Sequence, residues 1–285
     1  MTLSFRMVFL AFVACVFVSA GPVHAGKDLA DLELDDLLAR PGQPIELRAK
    51  LESNSVTGSD IEGARIEFRL DGKVLGTALT DDDGVALLRA DAPLTGDHEL
   101  KAVFEGNDDY LRAEYLAMLA VRRADDSMMV LDIDWTISMT DNLNTALGSS
   151  DSPPLREAPE VVGRLARAHA PVYVTARARQ LRKRTLSWLH RYGFPRGPVF
   201  FLEPKRFPTY SEAAYKTSVL VPMKKAFPGL RFGIGNKESD VESHRAAGLP
   251  CLLISATEVP GGVCVSHWGL VEEAVAKLLA PPKGR

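Results

Sequence analysis

The chain has 285 residues, enough for two modest domains, and 34 Lys and Arg against 37 Asp and Glu leave a net charge of -3. A balance this close disfavours a dedicated nucleic-acid binder. The three cysteines have no metal-ligand spacing, which argues against a zinc-held fold.

Residues 1–25 read as a secretory signal peptide, with Arg6 ahead of an apolar run over 7–20 and Val23, His24 and Ala25 as a small-residue cleavage site. The run is short for a spanning helix, and nothing later reads as one. The expectation is an exported chain, periplasmic or secreted. Cys15 lies inside the apolar run, in surroundings that match a lipoprotein signal poorly. The mature chain keeps Cys251 and Cys264, which an oxidising compartment allows to pair. Cys251 opens an apolar strand, and the reading preferred for it is a buried small hydrophobe.

Residues 26–37 form an acidic lead-in, taken as a linker or short helix. From 38 to 123 the pattern is all-β, with alternating stretches at 43–51, 64–70, 74–78, 85–89, 99–104 and 114–121. Asp71 and Gly72 are a hairpin turn pair. Asp81 to Asp83 and Asp108 with Asp109 read as solvated turn residues rather than calcium ligands. Short strands at regular spacing point to a β-sandwich. The runs 41–47, 74–86 and 104–113, with Tyr110 at the corner before the last strand, resemble bacterial immunoglobulin-like repeat domains of surface and secreted proteins. That resemblance implies a spacer or docking module, and no cluster of polar residues marks a chemical site.

Residues 124–285 change to alternating strand and helix. Met128 to Leu131 is an apolar run of the kind a buried parallel strand shows. Asp132, Asp134 and Thr136 follow. Were the strand to hold through Asp134, the two acids would crowd on one face. If the chain turns after Asp132, both can address one centre beyond the strand's carboxyl end, where open α/β sheets bind ligands. Neighbouring carboxylates repel unless a cation or shared proton lies between them, and Mg²⁺ prefers such oxygen ligands.

Further helices are expected at 161–168, 181–189, 211–226, 241–247 and 270–279, with a kink at Pro222, and strands at 171–174, 199–202, 232–235 and 252–254. This is the pattern of a doubly wound parallel α/β sheet. Thr175 and Arg177 end the second strand, Asn236 and Asp240 follow the fourth, and Lys216 lies on the helix between the third and fourth. Phosphoryl transfer needs such a set: a nucleophile, a proton donor, a hydroxyl and a cation for the phosphoryl oxygens, and acids for a metal.

In that order these residues resemble the four motifs of the haloacid dehalogenase superfamily of phosphatases. The runs 131–138, 172–177, 188–198 and 232–250, with Lys216, are most similar to lipin-type phosphatidate phosphatase domains. The resemblance implies Asp132 as the nucleophile that forms an aspartyl-phosphate. It implies Asp134 as the acid that protonates the leaving oxygen and then activates water, with a pKa above its neighbour's. Thr175 and Lys216 would hold the phosphoryl oxygens. Mg²⁺ would be held by the Asp132 carboxylate, the Asp134 backbone carbonyl, Asn236 and Asp240. Trp135 departs from the family's usual glycine, to narrow the entrance or stack on substrate.

The segment from Thr136 to the first helix, about twenty residues, and the loop 203–209 are short for a capping domain. An open site suits a bulky substrate, such as a lipid head group or a phosphoprotein. Arg177, Arg179, Arg182, Lys183, Arg184, Arg191, Lys205 and Arg206 make a basic region, read either as attraction to anionic lipid at a membrane surface or as a solvated helix face. The expected function is an exported Mg²⁺-dependent phosphatase, with phosphatidate as one candidate substrate. The alternatives are a non-catalytic phospholipid-binding module and an adhesion or docking protein.

Overall fold

The structure, a computed structural model, describes residues 26–54, 58–140, 152–203 and 211–280. The signal-peptide reading, Lys205, Arg206 and most of the two loops judged too short for a cap lie outside these residues.

The amino-terminal half contains eight strands among the described residues: β1 Ala30–Leu34, β2 Leu37–Ala39, β3 Pro44–Ser53, β4 Arg65–Leu70, β5 Lys73–Leu79, β6 Val85–Asp91, β7 Gly96–Phe104 and β8 Ala113–Val121. They form a three-stranded sheet, β1-β3-β6, and a five-stranded sheet, β2-β8-β7-β4-β5. The sheets enclose one core that includes Leu32, Leu47, Ile66, Phe68, Leu100 and Leu119, which makes a two-layer β-sandwich. Alternation does the work: Ile45, Leu47, Ala49 and Leu51 of β3 all face inward. The β4–β5 hairpin turns through Asp71 and Gly72 at φ 48° and 79°, the left-handed pair that matches strand twist.

The lead-in is corrected here. Residues 26–37 are not a linker: β1 runs antiparallel to β3, with Ala30 opposite Ser53, and Leu32 and Leu34 are buried. The reason is visible in Ala30 to Leu34, where apolar and acidic residues alternate with period two. The apolar set faces the core and the acids face out.

The carboxyl-terminal half carries β9 Met128–Leu131, β10 Ala170–Ala178, β11 Val199–Leu202, β12 Leu230–Gly235, β13 Cys251–Ile254 and β14 Val263–Val265. Its α-helices among the described residues are α1 Ala158–Leu165, α2 Arg182–Arg191, α3 Glu212–Ala226, α4 Glu238–Ala246 and α5 Val271–Leu279. The six strands lie in the order β11-β10-β9-β12-β13-β14, all parallel. The short β14 had no counterpart in the sequence reading. Helix α3 continues through Pro222.

Both faces of the sheet are covered, so β9 is apolar throughout. Met129 and Leu131 pack in one layer with Val161, Trp188 and Val271, while Met128 and Val130 pack in the other with Tyr215, Leu220 and Met223. Strand β9 lies at the centre, and the chain winds outward from it in both directions. The switch point therefore falls at the carboxyl ends of β9 and β12, where such sheets bind ligands. Cys251 is buried in β13, Cys264 lies on β14, and both are free thiols.

Acid–base pairs join the halves. Asp36 is buried between them: its Oδ1 accepts the Met118 N–H at 2.9 Å, its Oδ2 accepts the Val199 N–H at 3.0 Å, and Arg182 lies 3.2 Å away. Arg179 donates to Glu33 at 2.8 Å, Arg182 to Asp35 at 3.1 Å, and Lys183 to Asp31. The basic region thus differs from both sequence readings at these positions. Arg177, Arg179 and Arg182 are buried; Glu33 of β1 neutralises Arg179, and Asp35 and Asp36, just after β1, neutralise Arg182.

Candidate active site

Strand β9 stops at Leu131 and the chain turns at once. The Ile133 carbonyl accepts the N–H groups of Thr136, Ile137 and Ser138 at 3.2, 3.1 and 3.0 Å. Of the two arrangements open to the acids, the turn is the one adopted. The Asp132 amide donates to the Ile234 carbonyl of β12 at 3.0 Å, which fixes the turn at the switch point.

The Asp132 side chain is buried and held on both oxygens. Lys216 Nζ, from α3, lies 2.8 Å from Oδ1, and the Thr136 hydroxyl donates to Oδ2 at 3.1 Å. The same ammonium lies 2.5 Å from Asp240 Oδ1. Asp240 Oδ2 accepts the N–H groups of Asn236 and Lys237 at 2.9 and 3.3 Å, an acidic cap on the first turn of α4. Two glycines of β12 permit this packing. A Cβ on Gly235 would lie 2.4 Å from the Asp240 carboxyl, and one on Gly233 would lie 1.9 Å from His244 Nε2.

Asp134 points the other way around the turn. Arg177 Nε and Nη2 both lie 2.8 Å from its Oδ1. Arg177 is in turn fixed by the Thr185 hydroxyl of α2 at 3.1 Å and the Ser138 hydroxyl at 3.3 Å. Thr175 is fully buried, and its hydroxyl accepts the Arg177 N–H at 3.2 Å. Tyr173 pairs with Leu131, so Thr175 stands two residues further along β10, beside the turn. Asp132, Asp134, Thr175, Lys216, Asn236 and Asp240 are thereby all brought to the carboxyl end of the sheet.

Burial raises the Asp132 carboxyl to about 6 against the pull of Lys216. Burial also raises Asp134, with Arg177 opposing. Lys216 is raised because Asp132 and Asp240 outweigh its burial, and Asp240 is lowered because Lys216 outweighs its own. Burial thus disfavours the charge on both acids, each opposed by its own cation. A cation at Asp132 favours its ionised form.

Among the described residues no three His, Cys, Asp or Glu side chains cluster as a metal site. The implied set is different in kind: two carboxylates, a backbone carbonyl and an amide oxygen. Asn236 Oδ1 is buried without a hydrogen-bond partner, and the Asp132 and Asp240 oxygens keep lone pairs beyond those already engaged. An orphaned buried acceptor on the residue whose N–H meets the Asp240 carboxylate fits a hard, oxygen-seeking cation such as Mg²⁺.

The contacts of Ser138 and Thr185 with Arg177 were not foreseen, since neither residue carries a sequence signal of its own. Trp135 adopts φ 54°, a left-handed conformation, which gives a physical reason for glycine at this place in the resembling motif. A cleft of about 570 Å³ at the junction of the halves, lined by Met118, Leu189, Phe194 and Val199 among others, includes none of these site residues.

No family model and no curated protein matches the chain. Among solved structures, the Pnkp1/Rnl/Hen1 RNA repair complex is similar at 13% identity and a TM-score of 0.42, over 48% of this chain and 45% of that one. The chain therefore spans less than half the length of that relative. Fibronectin(III)-like modules of Clostridium thermocellum CbhA are similar at 16% identity and a TM-score of 0.25, over 32% of this chain and 96% of that one. The CARDB domain of PF1109 from Pyrococcus furiosus is similar at 9% identity and a TM-score of 0.25, over 33% of this chain and 96% of that one. Likenesses this weak carry no argument about function.

Proposed function

We propose that the chain is an exported Mg²⁺-dependent phosphatase of the haloacid dehalogenase type, similar to the lipin-type enzymes, that hydrolyses a phosphomonoester through an aspartyl-phosphate on Asp132. One observation carries this reading. Asp132 is held by Lys216 and Thr136 at the switch point, and Asp134, two residues on, is held separately by Arg177. Two acids two residues apart at the carboxyl end of the central strand, each fixed by its own cation, with the Asn236 Oδ1 acceptor buried and unpaired close in sequence to Asp240, supply the parts that phosphoryl transfer and a metal need.

In this reading a carboxylate oxygen of Asp132 attacks phosphorus and the bond to the leaving oxygen breaks. Asp134 gives that oxygen its proton. Asp134 then takes a proton from water as the water oxygen attacks phosphorus, and the phosphorus–Asp132 bond breaks to release phosphate and restore both acids. Lys216 Nζ and the Thr175 hydroxyl donate to the equatorial phosphoryl oxygens. Arg177 keeps Asp134 aimed at the leaving group. Asp132, the Asp134 carbonyl, Asn236 and Asp240 would hold Mg²⁺, which supplies charge for the phosphoryl oxygens and the nucleophile. Phosphatidate remains the candidate substrate, and the β-sandwich is read as an immunoglobulin-like placement module.

The test is phosphate release from phosphatidate and from 4-nitrophenyl phosphate, with and without Mg²⁺, beside Asp132→Asn. Release that needs Mg²⁺ and falls at least about a thousandfold in the variant is the expected result. Equal release by the variant contradicts it. Vesicle retention with no release by either protein supports a lipid-binding module instead.

A further inference from the structure

We propose that Trp135 selects the leaving group, by packing its indole on an apolar surface bonded directly to the ester oxygen of the substrate. This rests on the roles given above to Asp132 and Asp134. Trp135 follows Asp134 immediately, so their Cα atoms are about 3.8 Å apart. Both residues belong to the one turn that the Ile133 carbonyl closes, at the same end of the sheet as the proposed chemistry.

Two features set Trp135 apart. It holds φ 54°, where sterics disfavour any residue with a Cβ and a bulky one most. It is also 47% exposed, whereas Trp188 and Trp268 are 4% and 1% exposed. Core packing therefore accounts for the other two tryptophans but not for this one. The turn does not require the indole either: it is closed by the three bonds to the Ile133 carbonyl and by Trp268 Nε1, which donates to the Thr136 carbonyl at 2.8 Å. A strained, exposed aromatic beside the proton donor points to a contact made with substrate. Met139 is likewise exposed, and it follows Ser138, which bridges to Asp134 across the same turn. Trp135 and Met139 thus put apolar surface on the turn that carries the acid, and an indole suits either the glycerol–acyl boundary of a lipid or the face of an aryl group.

The experiment compares Trp135→Gly and Trp135→Phe with the parent chain on three substrates. These are 4-nitrophenyl phosphate, phosphatidate in phosphatidylcholine vesicles, and glycerol 3-phosphate as the polar reference. The expected result is that Trp135→Gly lowers kcat/KM on at least one apolar substrate about tenfold relative to glycerol 3-phosphate. Trp135→Phe is expected to restore most of that loss. A loss confined to vesicles assigns a lipid source, and one confined to the aryl ester assigns a soluble one. A ratio that stays within about twofold on both overturns the proposal.

Folding is separated by Trp135→Ala, which removes the indole but keeps a Cβ at positive φ. The Gly variant is expected to melt about 2–4 °C above the Ala variant. An Ala variant as stable as the Gly variant would remove the strain argument. Binding is read without turnover in the Asp132→Asn background. Tryptophan emission should change on adding the vesicles or the aryl ester, and the change should vanish with Trp135→Phe. If the parent chain releases no phosphate, the phosphatase reading fails, while this emission still decides Trp135: a change that persists without Trp135 overturns its role.

Discussion

Asp132 carries the conflict on which the site depends. Its carboxyl is almost sealed from water, and burial raises it from 3.8 to about 6 despite Lys216 at 2.8 Å. Between those two values the folded chain binds more protons than the unfolded one. Stability contributed by this group therefore falls as pH rises from about 4 to 6, then levels. A divalent cation binds the ionised form, so its stabilising effect grows through the same window. Mg²⁺ should raise Tm more at about pH 7 than at about pH 5, as read by scanning calorimetry. An equal increment at both contradicts the assignment of Asp132 as a ligand.

That Asp132, Asp134, Thr175, Lys216, Asn236 and Asp240 come to one end of the sheet was legible because each falls at a strand end or on an adjoining helix. The pairing of Arg177 with Asp134 was not, because it depends on where a turn aims a side chain 43 positions away. The left-handed Trp135 was equally hidden: a tryptophan in the sequence gives no sign of a conformation that only the surrounding turn enforces.

At the scale of elements, β1 and α2 explain what the basic region does. Arg179, Arg182 and Lys183 meet Glu33, Asp35, Asp36 and Asp31, and α2 also supplies the Thr185 hydroxyl that steadies Arg177. The sandwich edge thus supports the helix that supports the site. The acids of 26–37 and the bases of 177–184 were each visible in the sequence, but their pairing crosses about 150 residues and no local pattern encodes it. The acidity of 26–37 masks the period-two alternation of β1 in the sequence.

Asp36 tests this junction. Replacing it by Ala leaves the Met118 and Val199 N–H groups without an acceptor and removes one partner of buried Arg182. A loss of about 3 kcal/mol is expected in denaturant unfolding, with the two halves melting as separate transitions. An unchanged midpoint would show that the junction contributes nothing to cohesion.

Across the whole molecule, a β-sandwich with its own core is followed by a six-stranded parallel sheet covered on both faces. This much followed from the change of period near Ser127, since alternation of two and alternation of strand with helix bury different faces. Strand order was not legible, yet it decides the site. Only with β9 beside β12 do Asp132 and the Asn236–Asp240 turn share one crevice. The short β14 escaped because three residues after Gly261 and Gly262 carry too little pattern to separate a strand from a loop.

In the proposed reaction Asp132 becomes covalently phosphorylated. The most direct measurement quenches the enzyme in acid during turnover with Mg²⁺, reduces any acyl-phosphate with borohydride, and maps the products by peptide mass spectrometry. Reduction of Asp132 to homoserine, dependent on substrate and absent from every other carboxylate, is the expected result. Phosphate release at full rate with Asp132 unmodified, or reduction at a different acid, would contradict it.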